Sequence, residues 1–100
     1  MRLARANRRD DGEKAIVEGL RAAGCSVIQI DAGDGFPDLV VGRAGKTYLL
    51  ECKEKPGKGV DKRRTQLNPL QQQWFSLFNG HAEVVRSIDE ALTAIGLSGE

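Results

Sequence analysis

Two short apolar runs, each with an acid at one end, constrain this chain more than any other feature. Leu39-Val40-Val41 follows Pro37-Asp38, and Tyr48-Leu49-Leu50 precedes Glu51-Cys52-Lys53, with twelve residues between Asp38 and Glu51. Gly42-Arg43-Ala44-Gly45 separates the runs and is short enough for a hairpin loop. The pattern predicts paired strands over residues 38–41 and 46–53, with backbones about 5 Å apart. Side chains alternate along a strand, so Glu51 and Lys53 face one way and Cys52 faces the other, toward the core. Asp38 and Glu51 therefore converge at one end of the hairpin. Charges in such runs need a partner, because an unpaired buried charge is strongly unfavourable.

The rest of the chain supplies elements to cover that hairpin. A helix is expected over residues 12–23, capped by Asp10 or Asp11 and stopped by Gly24, with Ile16, Val17 and Leu20 inward. Residues 27–30 read as a strand and residues 31–35 as a turn. Residues 54–66 are polar, basic and glycine-containing, and read as a mobile loop. Asn68-Pro69-Leu70-Gln71 is a helix start with N-cap, first-turn proline and capping-box glutamine. The helix that follows carries Leu70, Trp74, Leu77 and Phe78 on one apolar face, Trp74 as core packing. Residues 82–86 form a short strand, and Ser87-Ile88-Asp89-Glu90 opens a last helix ending near Gly96. The order is α-β-β-β-α-β-α, one domain over residues 1–100 with residues 1–9 as a loose basic arm.

Two carboxylates converging beside a lysine suit a hard divalent cation, Mg²⁺ or Mn²⁺, which keeps waters and binds phosphate oxygens. Lys53 is placed to orient an attacking water or to stabilise charge on a phosphate. The alternative for Glu51 and Lys53 is an ion pair on an exposed face, and for Asp38 a strand-end carboxylate. Glu13 lies three to four residues apart from the inward positions of the first helix, so it faces the same interior; it is a third metal ligand or a helix-start acid. Gln71 flanks the apolar stripe of its helix and can bond a water or a phosphate as well as its own cap. His81 reads as a surface histidine on a turn.

Net charge is only +1, so no global field advertises a polyanion. The bases are clustered, however. Lys55, Lys58, Lys62, Arg63 and Arg64 follow the Glu-Cys-Lys strand directly, and are expected to bind a nucleic-acid backbone. Cys25 and Cys52 lack the spacing of a zinc motif or disulfide framework and read as thiols in a reducing, cytoplasmic setting. No apolar run approaches the roughly 18 residues of a membrane span.

Gly-Phe-Pro-Asp-Leu-Val-Val-Gly, then Tyr-Leu-Leu-Glu-Cys-Lys, then Leu-Asn-Pro-Leu-Gln resembles the PD-(D/E)XK nuclease superfamily. The likeness is greatest to its small stand-alone virus-type replication-repair (VRR-NUC) members, related to Holliday-junction resolvases. It spans residues 13–92. The resemblance implies an α/β, restriction-endonuclease-like αβββαβ core, a mixed sheet flanked by helices. It implies Mg²⁺- or Mn²⁺-dependent cleavage of DNA phosphodiesters, structure-selective for branched, flapped or nicked substrates, by a homodimer. Asp38 and Glu51 match the family's metal ligands, Lys53 its catalytic lysine, Glu13 its helical acid and Gln71 the glutamine after the motif. Asn68 stands where similar sequences carry Thr, and either residue caps a helix. The alternative function is a nucleic-acid-binding module without cleavage, or a subunit of a larger nuclease assembly.

Overall fold

The computed structural model describes residues 11–97. The basic arm of residues 1–9 and the capping aspartate expected at position 10 lie outside them. Helix α1 spans Asp11–Ala22 and buries Glu13, Ile16, Val17 and Leu20, the expected inward stripe. Strands β1 (Ser26–Gln29), β2 (Leu39–Arg43) and β3 (Lys46–Cys52) follow. A single helical turn, α2 (Lys62–Thr65), precedes α3 (Pro69–Leu77), β4 (Ala82–Val85) and α4 (Ile88–Ala94). The sheet order is β1-β2-β3-β4. The first three strands pair antiparallel and β4 pairs parallel to β3, making the sheet mixed.

The β2–β3 connection is tighter than expected. Arg43 pairs with Lys46, leaving only Ala44-Gly45 in the turn, both at positive φ (52° and 78°). That is the two-residue hairpin whose twist matches the strands. Register then decides which face each residue takes. Leu39 pairs with Leu50 and with Gln29, while Val41 pairs with Tyr48 and Val27. Leu39, Val41, Tyr48, Leu50 and Val27 are buried and form the core with Ile16, Val17 and Leu20 of α1 and Ala91, Ala94 and Ile95 of and beside α4. Cys52 lies two residues beyond Leu50, on this α1-facing side, and packs against that core.

Two expectations are corrected. Residues 54–61 are irregular as expected, but residues 62–65 form a helical turn where loop is expected throughout. Asp61 caps α2 by accepting from the Arg63 N–H, and Thr65 is buried. The Glu54 N–H donates to Arg64 O (2.7 Å), the Arg64 and Glu54 side chains pair at 2.7 Å, and the Arg86 guanidinium donates to Thr65 O (2.6 Å). The Glu54–Arg64 bonds close the segment on itself, and the Arg86 bond ties its end to the residue after β4. Second, the apolar stripe of α3 is not core. Leu70 is 55 % and Leu77 75 % exposed, and no residue of α3 is buried. Trp74 is half-buried and contacts Phe36, Phe75 and Phe78 in an aromatic cluster apart from the main core.

Candidate active site

β2 and β3 deliver Asp38 and Glu51 to the same end of the sheet. Asp38 immediately precedes β2, and its Oδ2 accepts from the Cys52 N–H at 3.0 Å. That bond ties the two strand ends together where the ladder stops. The Ile30 N–H donates to Asp38 O (2.7 Å) and fixes the acid from its other side. Glu51 is only 3 % exposed. Its Oε2 accepts from the Gln71 amide at 2.8 Å and lies 3.9 Å from Lys53 Nζ. Its Oε1 is buried and has no hydrogen-bond partner among the described residues. A carboxylate oxygen left so is strongly destabilising unless something cationic meets it.

Electrostatics agree with the geometry. Burial first, then the Asp38 carboxylate, pushes the Glu51 carboxyl from its usual 4.5 up to about 8; Lys53 opposes the shift and Glu13 adds to it. Three acids and one lysine thus share one local field. Glu13 is buried on α1 and accepts from the Gln29 amide at 3.2 Å. Oxygens of Glu13 and Asp38 and the sulfur of Cys52 all lie within 4.8 Å of one another. Glu13 stands in the first turn of α1, as the helix-start alternative has it, and its side chain also reaches across to β1.

Gln71 does two things at once. Its backbone and side chain complete the capping box with Asn68, and the same amide bonds Glu51. Lys53, next to the ladder bond from its own N–H to Val85 O, lines a cleft with Asp11, Gly12, Glu54, Lys55, Arg64 and Arg86. Of the basic segment, Lys55 and Arg64 therefore share that cleft with Lys53. Lys58, Lys62 and Arg63 are exposed and do not line that cleft, and Arg63 is clamped on Asp61, whose carboxyl it holds down at about 2. His81 is exposed, beside Tyr48 and Glu83, away from these groups.

Sequence reasoning did not single out Gln29 or Arg86, or the approach of Cys52 to two carboxylates. Gln29 carried a signal, a polar residue two positions after the inward Val27. Cys52 was correctly read as core-facing, but the same face belongs to Glu13. Arg86 carried none, since its role depends on the fold of residues 54–66.

The sequence matches a known family. The chain fits the family model described as archaeal Holliday junction resolvase (Hjc) over residues 5–91. It belongs to that family. Hjc proteins are PD-(D/E)XK nucleases, so the chain is an endonuclease acting on phosphodiester bonds, with the mixed sheet and flanking helices of the restriction-endonuclease-like fold. No curated protein and no solved structure matches it. Among the described residues, no helix is long and apolar enough to cross a membrane.

Proposed function

We propose that the protein is a single-domain, Mg²⁺- or Mn²⁺-dependent endonuclease that cuts branched DNA, with the four-way junction as its main substrate. The observation that carries this is the buried Glu51, with one oxygen lacking a partner and with Asp38, Lys53 and Glu13 as its charged neighbours. Hard oxygens at such a place fit a divalent cation. Asp38 and Glu51 are its ligands, and Glu13 is a third, direct or through a water. When bound, the ion supplies Lewis-acid activation and neutralises charge on the phosphate.

The chain's own residues do the rest. Lys53 holds positive charge beside the scissile phosphate and orients the nucleophilic water. Gln71 fixes the Glu51 carboxylate and offers its amide to the water or the phosphate. Gln29 holds Glu13 in place. Lys55 and Arg64 guide the backbone into the cleft, and Lys58, Lys62 and Arg63 extend that basic surface without reading bases. The Hjc match favours the junction-resolving branch of the superfamily over the virus-type replication-repair branch, whose motif order the chain shares.

Two strands of a junction call for two active sites, which a two-fold dimer supplies. Exposed Leu70, Leu77 and Phe78 on and beside α3 support that assembly. A DNA substrate puts the work inside the cell, in keeping with two cysteines as thiols.

The test is cleavage of four-way, flapped, nicked and linear DNA with Mg²⁺, Mn²⁺ or chelator, with Glu51→Ala as control. Metal-dependent cutting of the junction above linear duplex is expected. Junction binding without cutting under any of these ions would return the protein to the non-cleaving alternative.

A further inference from the structure

Cys52 stands between the Glu and the Lys of the motif, at a position the proposed chemistry does not use. Its side chain is on the α1-facing side of β3, the side on which Glu13 projects. The strand ends there, and Asp38 turns in to take the Cys52 N–H. Three ligand atoms of different elements therefore meet: one oxygen from Glu13, one from Asp38 and Sγ of Cys52, none more than 4.8 Å from another. Around one tetrahedral cation, bonds of about 2.3 Å to sulfur and 2.1 Å to oxygen set the ligand atoms about 3.6 Å apart, so the three are gathered by closing up to about 1.2 Å. Beside this group Glu51, only 3 % exposed, keeps Oε1 without a hydrogen-bond partner among the described residues, the observation that also carries the nuclease reading.

A sulfur ligand changes which ions the place prefers. Oxygen-only sites suit Mg²⁺ and Mn²⁺, whereas thiolate favours borderline and soft ions. We infer that Cys52, Glu13 and Asp38 form a thiophilic divalent-cation site that takes Zn²⁺ through sulfur, in competition with the hard ion of the nuclease centre. The inference rests on the metal-dependent reading above. On binding, the Cys52 S–H bond breaks, its proton passes to solvent and an S–metal bond forms; nothing is oxidised or reduced.

Cd²⁺ is the probe, because its bond to sulfur gives an ultraviolet charge-transfer band. Chelator-treated protein is titrated with Cd²⁺, and Mn²⁺ binding is measured separately by electron spin resonance. The wild type and Cys25→Ser should both develop the band, Cys52→Ser should not, and Zn²⁺ should bleach it. Thiol mapping by mass spectrometry gives a second readout on the unaltered protein, in case Cys52→Ser fails to fold. Cd²⁺ should slow alkylation of Cys52 by about tenfold or more and leave Cys25 near its original rate. Mn²⁺ binding without a Cd²⁺–sulfur band or Cys52 protection would overturn the sulfur site while leaving the nuclease reading intact. A band that persists in Cys52→Ser would overturn it too. Absence of both Mn²⁺ and Cd²⁺ binding would defeat the metal-dependent reading, and the inference with it.

Discussion

Glu51 and Gln71 touch at 2.8 Å, yet the elements that carry them are held by opposite means. β3 is paired on both sides, to β2 and to β4, and its Leu50 is fully buried. α3 buries nothing completely. Its start is fixed by the Asn68 capping box and by the close approach of Gly35, and beyond that it has the half-buried Trp74 against Phe36. One side of the site is thus built into the core, and the other is docked on it at a few points. The acids proposed to hold the metal need the first kind of support, because a buried carboxylate without its partners is unfavourable. A residue that must release and re-form a bond as substrate enters suits the second kind.

The comparison breaks most completely on the core side. Asp38→Asn and Glu51→Gln keep shape and remove the charge that holds the cation, so cleavage should fall by about a thousandfold or more. The fold should persist, since a neutral isostere removes like-charge repulsion among Asp38, Glu51 and Glu13. Single-turnover rates on junction DNA, with circular dichroism melts, check both halves. Near wild-type rates for either variant would remove that acid from the site.

The buried acid also has a pH signature in the metal-free protein. Its carboxyl is pushed up to about 8 from 4.5, so the folded state holds a proton that the unfolded state releases between those values. The stability from this proton is complete below the unfolded value and is lost as pH rises through the folded one. Chelator-treated protein should therefore lose melting temperature steadily between about pH 5 and pH 8. Glu51→Gln should flatten that slope. A wild-type slope retained in the variant would assign the titration to another group.

The docked side gives a smaller effect. Gly35 has φ +84°, and a Cβ there would sit 2.5 Å from Leu70 O, at the start of α3. Gly35→Ala strains the turn by about 1–2 kcal/mol and must push α3 away, drawing Gln71 off Glu51. Cleavage should drop roughly tenfold, through lost positioning rather than unfolding. Gln71→Ala added to Gly35→Ala should then change little, because both remove one contact. Additive losses would mean that Gln71 acts without help from the turn.

How much of this was legible in the sequence follows the same division. The paired strands, α1 and its inward Glu13 could be read because alternation and helical spacing report burial directly, and these elements are buried. The capping box at Asn68 could be read because it is local. What could not be read depends on contacts distant along the chain. Residues 54–66 have loop composition, and the helical turn at 62–65 is tied down by Arg86, which lies beyond β4. The stripe of Leu70, Trp74, Leu77 and Phe78 has the periodicity of a core helix. Periodicity shows that a face is apolar; it does not show whether this chain or another covers it. At the site, the positions of Asp38, Glu51 and Lys53 followed from register, whereas the approach of Cys52 depended on where α1 docks.

That exposed stripe gives the smallest effect on the monomer and the sharpest test of assembly. Leu77 is 75 % exposed, so Leu77→Ser should alter unfolding free energy at low protein concentration by no more than about 0.5 kcal/mol. If α3 is the dimer face, the same change should raise the dimer dissociation constant about tenfold or more, since a buried leucine contributes roughly 1.5–3 kcal/mol. Sedimentation equilibrium across micromolar concentrations reads the second quantity and denaturant titration the first. Weaker association with an unchanged monomer would place the two-fold contact on α3, beside Gln71, so that assembly would also steady the docked half of each active site. Unchanged association would move the contact to another face and leave α3 held only by its cap, Gly35 and the aromatic cluster.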